Sequence, residues 1–104
     1  MHVTEGERAG WYIVSPRGRL DSATAQALLT ILLAAVAGHP QIAVDCSAVD
    51  FISSAGLGAL LDGVRAASGA QKEFRVCAPS VRVKNVFDTC GLNEVLNVQE
   101  MLPC

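Results

Sequence analysis

The stretch IAVDCSAVDFISSAGLGALL, residues 42–61, constrains the fold more than any other part of the chain. Ile42, Ala43 and Val44 form a short apolar run of the kind that fills a strand covered on both faces. Asp45, Ser47 and Asp50 are turn and cap residues that take the chain off the sheet. After Ser53 and Ser54 the period changes. Leu57, Leu60, Leu61 and Val64 recur at helical spacing and give one apolar face. The segment therefore reads as a buried strand, a tight connection and a helix that opens on two adjacent serines. At such a junction free backbone N–H groups point outward and the helix dipole favours negative charge. Ser54 suits two uses there: capping the helix, worth about 1 kcal/mol, or carrying a phosphate.

The chain has 104 residues, enough for one domain with a single core spanning residues 1–104. Apolar residues make up 51% but aromatics only 5%, so Ala, Val, Leu and Ile must build that core. The net charge is −2, and the eight Lys and Arg are scattered with no run of three. Nucleic-acid binding has little electrostatic support in such a pattern. Arg82 and Lys84 read as the solvated face of a helix. No apolar run reaches the roughly 18 residues of a membrane span. The first residues, MHVTEGERAG, lack the apolar core of a signal peptide, which points to a cytoplasmic protein. Cys46, Cys77, Cys90 and Cys104 include no C-x-x-C pair, so neither a metal nor redox chemistry is expected. The first three lie in or beside apolar runs, where a free thiol acts as a small hydrophobe. Cys104, at the terminus, is expected to be open to oxidation. No G-x-x-x-x-G-K motif provides for a nucleotide, and no cofactor is expected.

Residues 2–7 suit a short edge strand, with the turn drawn from residues 5–10. Residues 11–16 form a clearer strand, Tyr12 and Val14 facing one way and Trp11 and Ile13 the other. Pro16, Arg17 and Gly18 are expected to end it. Asp21 or Ser22 can cap the next helix, which runs to about residue 37 and stops at Gly38 before Pro40. Its core face is Leu28, Ile31, Leu32, Ala35 and Val36; Leu29 and Leu33 widen the stripe. Further on, residues 41–45 read as a strand, 54–67 as a helix, and 74–77 as a strand ended by Pro79. Ser80 caps a helix running to about residue 89, with Val83, Val86, Phe87 and Cys90 inward and Gly91 at its end. Residues 92–98 give a last strand. Alternating strands and helices on short connections argue for an α/β layer with helices packed on a sheet.

Several of these segments together resemble the STAS domain family, which includes anti-sigma factor antagonists and the cytoplasmic tails of sulfate transporters. Gly18-Arg19-Leu20-Asp21 resembles the family's G-x-L-D motif. Residues 44–52 resemble the strand leading to its switch site. Ser53-Ser54-Ala55-Gly56-Leu57-Gly58 resembles its D-S-[ST]-G-L-G, and residues 80–92 its later helix with a small-Gly-Leu ending. The resemblance implies a mixed sheet of four or five strands with helices mainly on one face. Carried over by position, the phosphorylated serine is Ser54, with Ser53 as the alternative acceptor. Ser53 stands where the motif has Asp, and Ala55 replaces its second hydroxyl residue. The C-terminal helix of many members is missing or cut short here.

The family mechanism implies a partner-binding surface of Asp21, Ser22, Ser53, Ser54, Ala55, Gly56, Leu57 and Gly58. Asp21 would stand on its rim. The implied partners are an anti-sigma factor with serine kinase activity and a serine phosphatase, the domain itself being a monomer or weak dimer. Asp45 and Asp50 read as turn residues near the serine. A different binding role is a scaffold without a phosphorylation cycle, or an accessory subunit of a regulatory assembly or a lipid-transport ATPase. An enzyme is not expected. Ile52 replaces the first Gly of G-x-S-x-G, and only His2 and His39 are available as a base.

Overall fold

The computed structural model describes residues 2–102. In chain order the elements are β1 (His2–Arg8), β2 (Trp11–Leu20), α1 (Ala25–Gly38), β3 (Gln41–Asp45), β4 (Val49–Ile52), α2 (Ser54–Gly69), β5 (Glu73–Cys77), α3 (Val81–Cys90) and β6 (Val98–Gln99). They make a mixed six-stranded sheet of order β1-β2-β3-β5-β6, with β4 attached to β2 off this path. β1 and β2 form the antiparallel hairpin; β2–β3, β2–β4, β3–β5 and β5–β6 are all parallel. The hairpin closes through Ala9 and Gly10, whose φ values of 53° and 85° match the two-residue turn that follows strand twist. β1 therefore runs to Arg8, past the turn expected from residue 5.

All three helices pack on one face of the sheet. Leu28 and Leu32 of α1, Leu60 of α2, and Val83 and Phe87 of α3 join Val14, Ile42, Val44 and Val76 of the strands in one core, each side chain fully buried. Each large aliphatic side chain buried there contributes about 1.5–3 kcal/mol. The alternate strand positions Trp11, Ile13, Ala43 and Cys77 form a separate small cluster on the helix-free face. Strand alternation puts Trp11 and Ile13 opposite Tyr12 and Val14, as the pattern predicts.

Five expectations need correction. β2 does not stop at Pro16: it continues to Leu20 and exchanges β3 for β4 as neighbour. Gly18, at φ 94°, and a register shift that skips Asp50 absorb the irregularity, as a bulge does. The connection between β3 and α2 is not merely a turn but contains β4, so Asp50 is an exposed strand residue. Neither Asp21 nor Ser22 caps α1. Its N-cap is Thr24, with no side-chain cap bond, and Asp21 holds the turn before it. Finally, residues 92–98 are mostly turns, leaving a β6 of two residues, and Cys90 is exposed rather than inward. Gly91 ends α3 at φ 68°, and the turn it starts directs residues 93–97 away from extended backbone. Cys104 lies outside the described residues.

Candidate functional site

The two serines at the start of α2 divide the work. Ser53 is the N-cap, extended at φ −98° and ψ 176°, and its Oγ accepts from the Gly56 N–H at 3.4 Å. Its own N–H donates to the Leu20 carbonyl at 2.9 Å, which ties the helix start to the end of β2. Ser54, the first residue inside the helix, is exposed. Among the described residues its hydroxyl makes no hydrogen bond. Capping thus belongs to Ser53, and the capping use considered for Ser54 is corrected. No acidic side chain lies in the first turn, so the partial positive charge of the helix start is not neutralised there.

Gly56 sets how close this helix start comes to the sheet. A Cβ at that position would stand 2.4 Å from the Leu20 carbonyl oxygen and 2.8 Å from Leu20 Cγ. Gly56 is buried, so it seats the helix and offers no outer surface. Gly58 differs: a Cβ there would meet nothing within 4 Å. Ala55, Leu57 and Gly58 are half-buried around the exposed Ser54.

Asp21 follows directly on the Leu20 carbonyl that Ser53 holds, so β2 pairing brings Asp21 and the serines to one end of the sheet. Its Oδ1 accepts from the Ala23 N–H at 3.0 Å, and its Oδ2 lies 3.4 Å from Arg19 Nε. The Ala23 N–H, with help from Arg19 and Thr24 against some desolvation, holds the Asp21 carboxyl below its ordinary value. Ser22, beside it, is exposed. Arg19 also stacks on Phe51, its guanidinium carbon 4.0 Å from the ring centroid. The pairing of Arg19 with Phe51 across β2 and β4 places them together. Sequence reading missed both residues. No local period marked them, since Val49 and Ile52 are buried while Phe51 is exposed and the β2–β4 register shifts between them. Asp45 does act as a turn residue, its Oδ1 accepting from the Ser47 N–H at 3.0 Å.

His39 lies far from this end of the sheet. It follows α1 just before β3, stacks on Tyr12 with centroids 3.9 Å apart, and lies 3.5 Å from Glu7. Tyr12 and Leu20 are opposite ends of β2, roughly 25 Å apart at strand rise, so His39 does not reach Ser54 as a base. Among the described residues no three His, Cys, Asp or Glu side chains gather as a metal site. No helix there is long and apolar enough to cross a membrane.

Residues 12–102 match a family model described as "Mlab, STAS domain". Among solved structures, the chain is similar to an anti-sigma factor antagonist from Mycobacterium paratuberculosis. The identity is 28%, the TM-score 0.87, and the match covers 97% of this chain and 86% of that one. It shares its fold with the Bacillus cell fate determinant SpoIIAA in the phosphorylated form, at 16% identity and TM-score 0.73, covering 98% and 92% of the two chains. It shares the fold too with part of the murine anion transporter Slc26a9, at 19% identity and TM-score 0.75. That match covers 93% of this chain but 17% of the transporter, so one fold serves both as most of a chain and as a small part of one.

Proposed function

The chain belongs to the STAS domain family, and on that premise we propose that it is an anti-sigma factor antagonist switched by phosphorylation of Ser54. The observation that carries this reading is the division of labour at α2: Ser53 caps the helix while the Ser54 hydroxyl stands exposed and uncommitted. Unmodified, the surface around Ser54 binds an anti-sigma factor with serine kinase activity. That surface joins Asp21 and Ser22, at the end of β2 to which the Ser53 N–H is tied, with Ala55, Leu57 and Gly58 of α2. A phosphoryl group adds roughly −1.5 to −2 charges and three acceptor oxygens. The helix start tolerates that group in the free domain. In an interface built on a neutral hydroxyl it brings bulk and a desolvation cost. A loss of about 3–4 kcal/mol weakens binding several hundredfold. A serine phosphatase restores the binding form. The reading places the protein in the cytoplasm, as a monomer or weak dimer without catalytic activity of its own.

One observation favours a second reading. Ser53 is neutral where the family motif has Asp, which removes a charge beside the acceptor. That suits a scaffold, or an accessory subunit of a regulatory assembly or lipid-transport ATPase, that binds without a phosphorylation cycle. Phosphate incorporation from the kinase-type partner separates the two. The switch requires incorporation that Ser54→Ala abolishes and Ser53→Ala retains; the scaffold requires partner binding with no incorporation.

A further inference from the structure

The rim of the candidate site continues around the end of β2 onto the other face of the sheet. Leu20 and Ile52, the last paired residues of β2 and β4, are buried in the helix-side core. Strand alternation therefore turns the preceding pair, Arg19 and Phe51, to the helix-free face. Phe51 is 37% exposed, the one aromatic among the large apolar side chains that the described residues leave open. The Arg19 guanidinium carbon lies 4.0 Å from its ring centroid, and the Arg19 side chain is itself 63% exposed. Arg19 Nε faces Asp21 Oδ2 at 3.4 Å, while among the described residues its two amino groups make no hydrogen bond. Arg17, two residues earlier, is exposed and has no ion pair among them. Asp50, the residue that the register skips, is exposed and pairs with neither arginine.

A surface cation–π pair and a surface ion pair do little for a fold. The same arrangement does more for recognition. Stacking fixes the plane of the guanidinium, so its amino edge is a ready fork for a carboxylate, with an aromatic ring directly beneath. Arginine and exposed aromatic side chains together are what the centres of protein interfaces are rich in. We propose that Arg19, held on Phe51, is the specificity-determining anchor of the partner surface, and that the partner presents an acidic segment to it: one carboxylate for the guanidinium edge and an adjacent apolar side chain for the Phe51 ring. Asp21 is the link, since it touches Arg19 and precedes Ser22 on the rim. This anchor rests on the partner surface proposed at the start of α2, not on phosphorylation of Ser54.

Photo-crosslinking in the native cells tests it. Benzoylphenylalanine replaces Phe51 in one full chain and Gly58 in another, a position where an added Cβ meets nothing within 4 Å. After irradiation the captured protein and the joined peptide are identified by mass mapping. Both positions are expected to capture the same protein, and the peptide joined at position 51 to contain Asp or Glu. Binding of that protein, once purified, is then measured against full-chain variants. Arg19→Gln and Phe51→Ala each weaken it about tenfold, with urea unfolding close to wild type. Arg19→Lys, which keeps the charge but loses the planar fork, falls between Arg19→Gln and wild type. Arg19→Glu weakens it further and is rescued when the captured acid is reversed to Arg. Capture at position 58 with none at 51 would overturn the anchor and leave the surface at the start of α2 standing. So would a peptide without an acid, or wild-type binding by Arg19→Gln. Capture at neither position would remove the partner surface itself, and the anchor with it.

Discussion

The starts of α2 and α3 are built on the same capping residue and end in opposite states. At α3, Ser80 Oγ accepts from the Val83 N–H at 3.4 Å and donates to the Val49 carbonyl at 2.6 Å, so its hydroxyl is fully used. The next residue, Val81, is 78% exposed and carries no polar atom in its side chain. At α2, Ser53 Oγ accepts from the Gly56 N–H, also at 3.4 Å, and the next residue adds a second hydroxyl that the fold leaves outside. One serine suffices to start a helix. The second at α2 is surplus to folding, and surplus polar chemistry on a rigid element is where a binding or modification site is to be sought.

The contrast can be broken in graded ways. Gly56→Ala has the largest effect, because the new methyl group meets the Leu20 backbone and cannot be moved aside by a rotamer change. It costs about 3 kcal/mol in urea unfolding; a near-neutral result would mean that α2 is not seated on β2 as described. Ser80→Ala follows at about 2 kcal/mol, since it removes a cap and strands the Val49 carbonyl. Ser53→Ala costs about 1 kcal/mol, the cap alone. Ser54→Ala changes stability by no more than about 0.5 kcal/mol. Equal losses at Ser53 and Ser54 would erase the division of labour on which the site rests.

The smallest effect concerns pH. Asp21 is held below its ordinary value of 3.8 in the folded chain, first by the Ala23 N–H and then by Arg19. Its contribution to stability is therefore present above that value and lost as pH falls through the lower folded value. Asp21→Asn removes this part of the acid dependence. Acid titrations of the two proteins that stay parallel below 3.8 would contradict the role given to the Asp21 turn.

Where local chemistry decided the structure, the residues could be read directly. Ser80 and Gly91 frame α3, the apolar run 42–44 is β3, and the change of period after Ser54 is α2. What could not be read was decided by pairing between distant segments. β4 exists because Gly18, Arg19 and Leu20 offer it an edge, while Ser47 and Asp50 locally suggest only a turn. Pro16 and Gly18 signal a break, yet the hairpin and a bulge carry the strand through them. The candidate site shows the same split. Asp21, Ser53 and Ser54 were legible from their motifs, whereas Arg19 on Phe51 followed only from the β2–β4 register. Cys90 misled because helical spacing placed it inward at the last turn, where the helix already leaves the core.

The most direct measurement is intact-mass analysis of the protein isolated from its native cells under several growth conditions, with peptide mapping across Ser53 and Ser54. The expected result is a fraction carrying one phosphoryl group, located on Ser54 and absent from Ser54→Ala. Phosphate on Ser53 alone, or none under any growth condition in either the free or the partner-bound protein, would contradict the switch and leave the constitutive scaffold as the role of this surface.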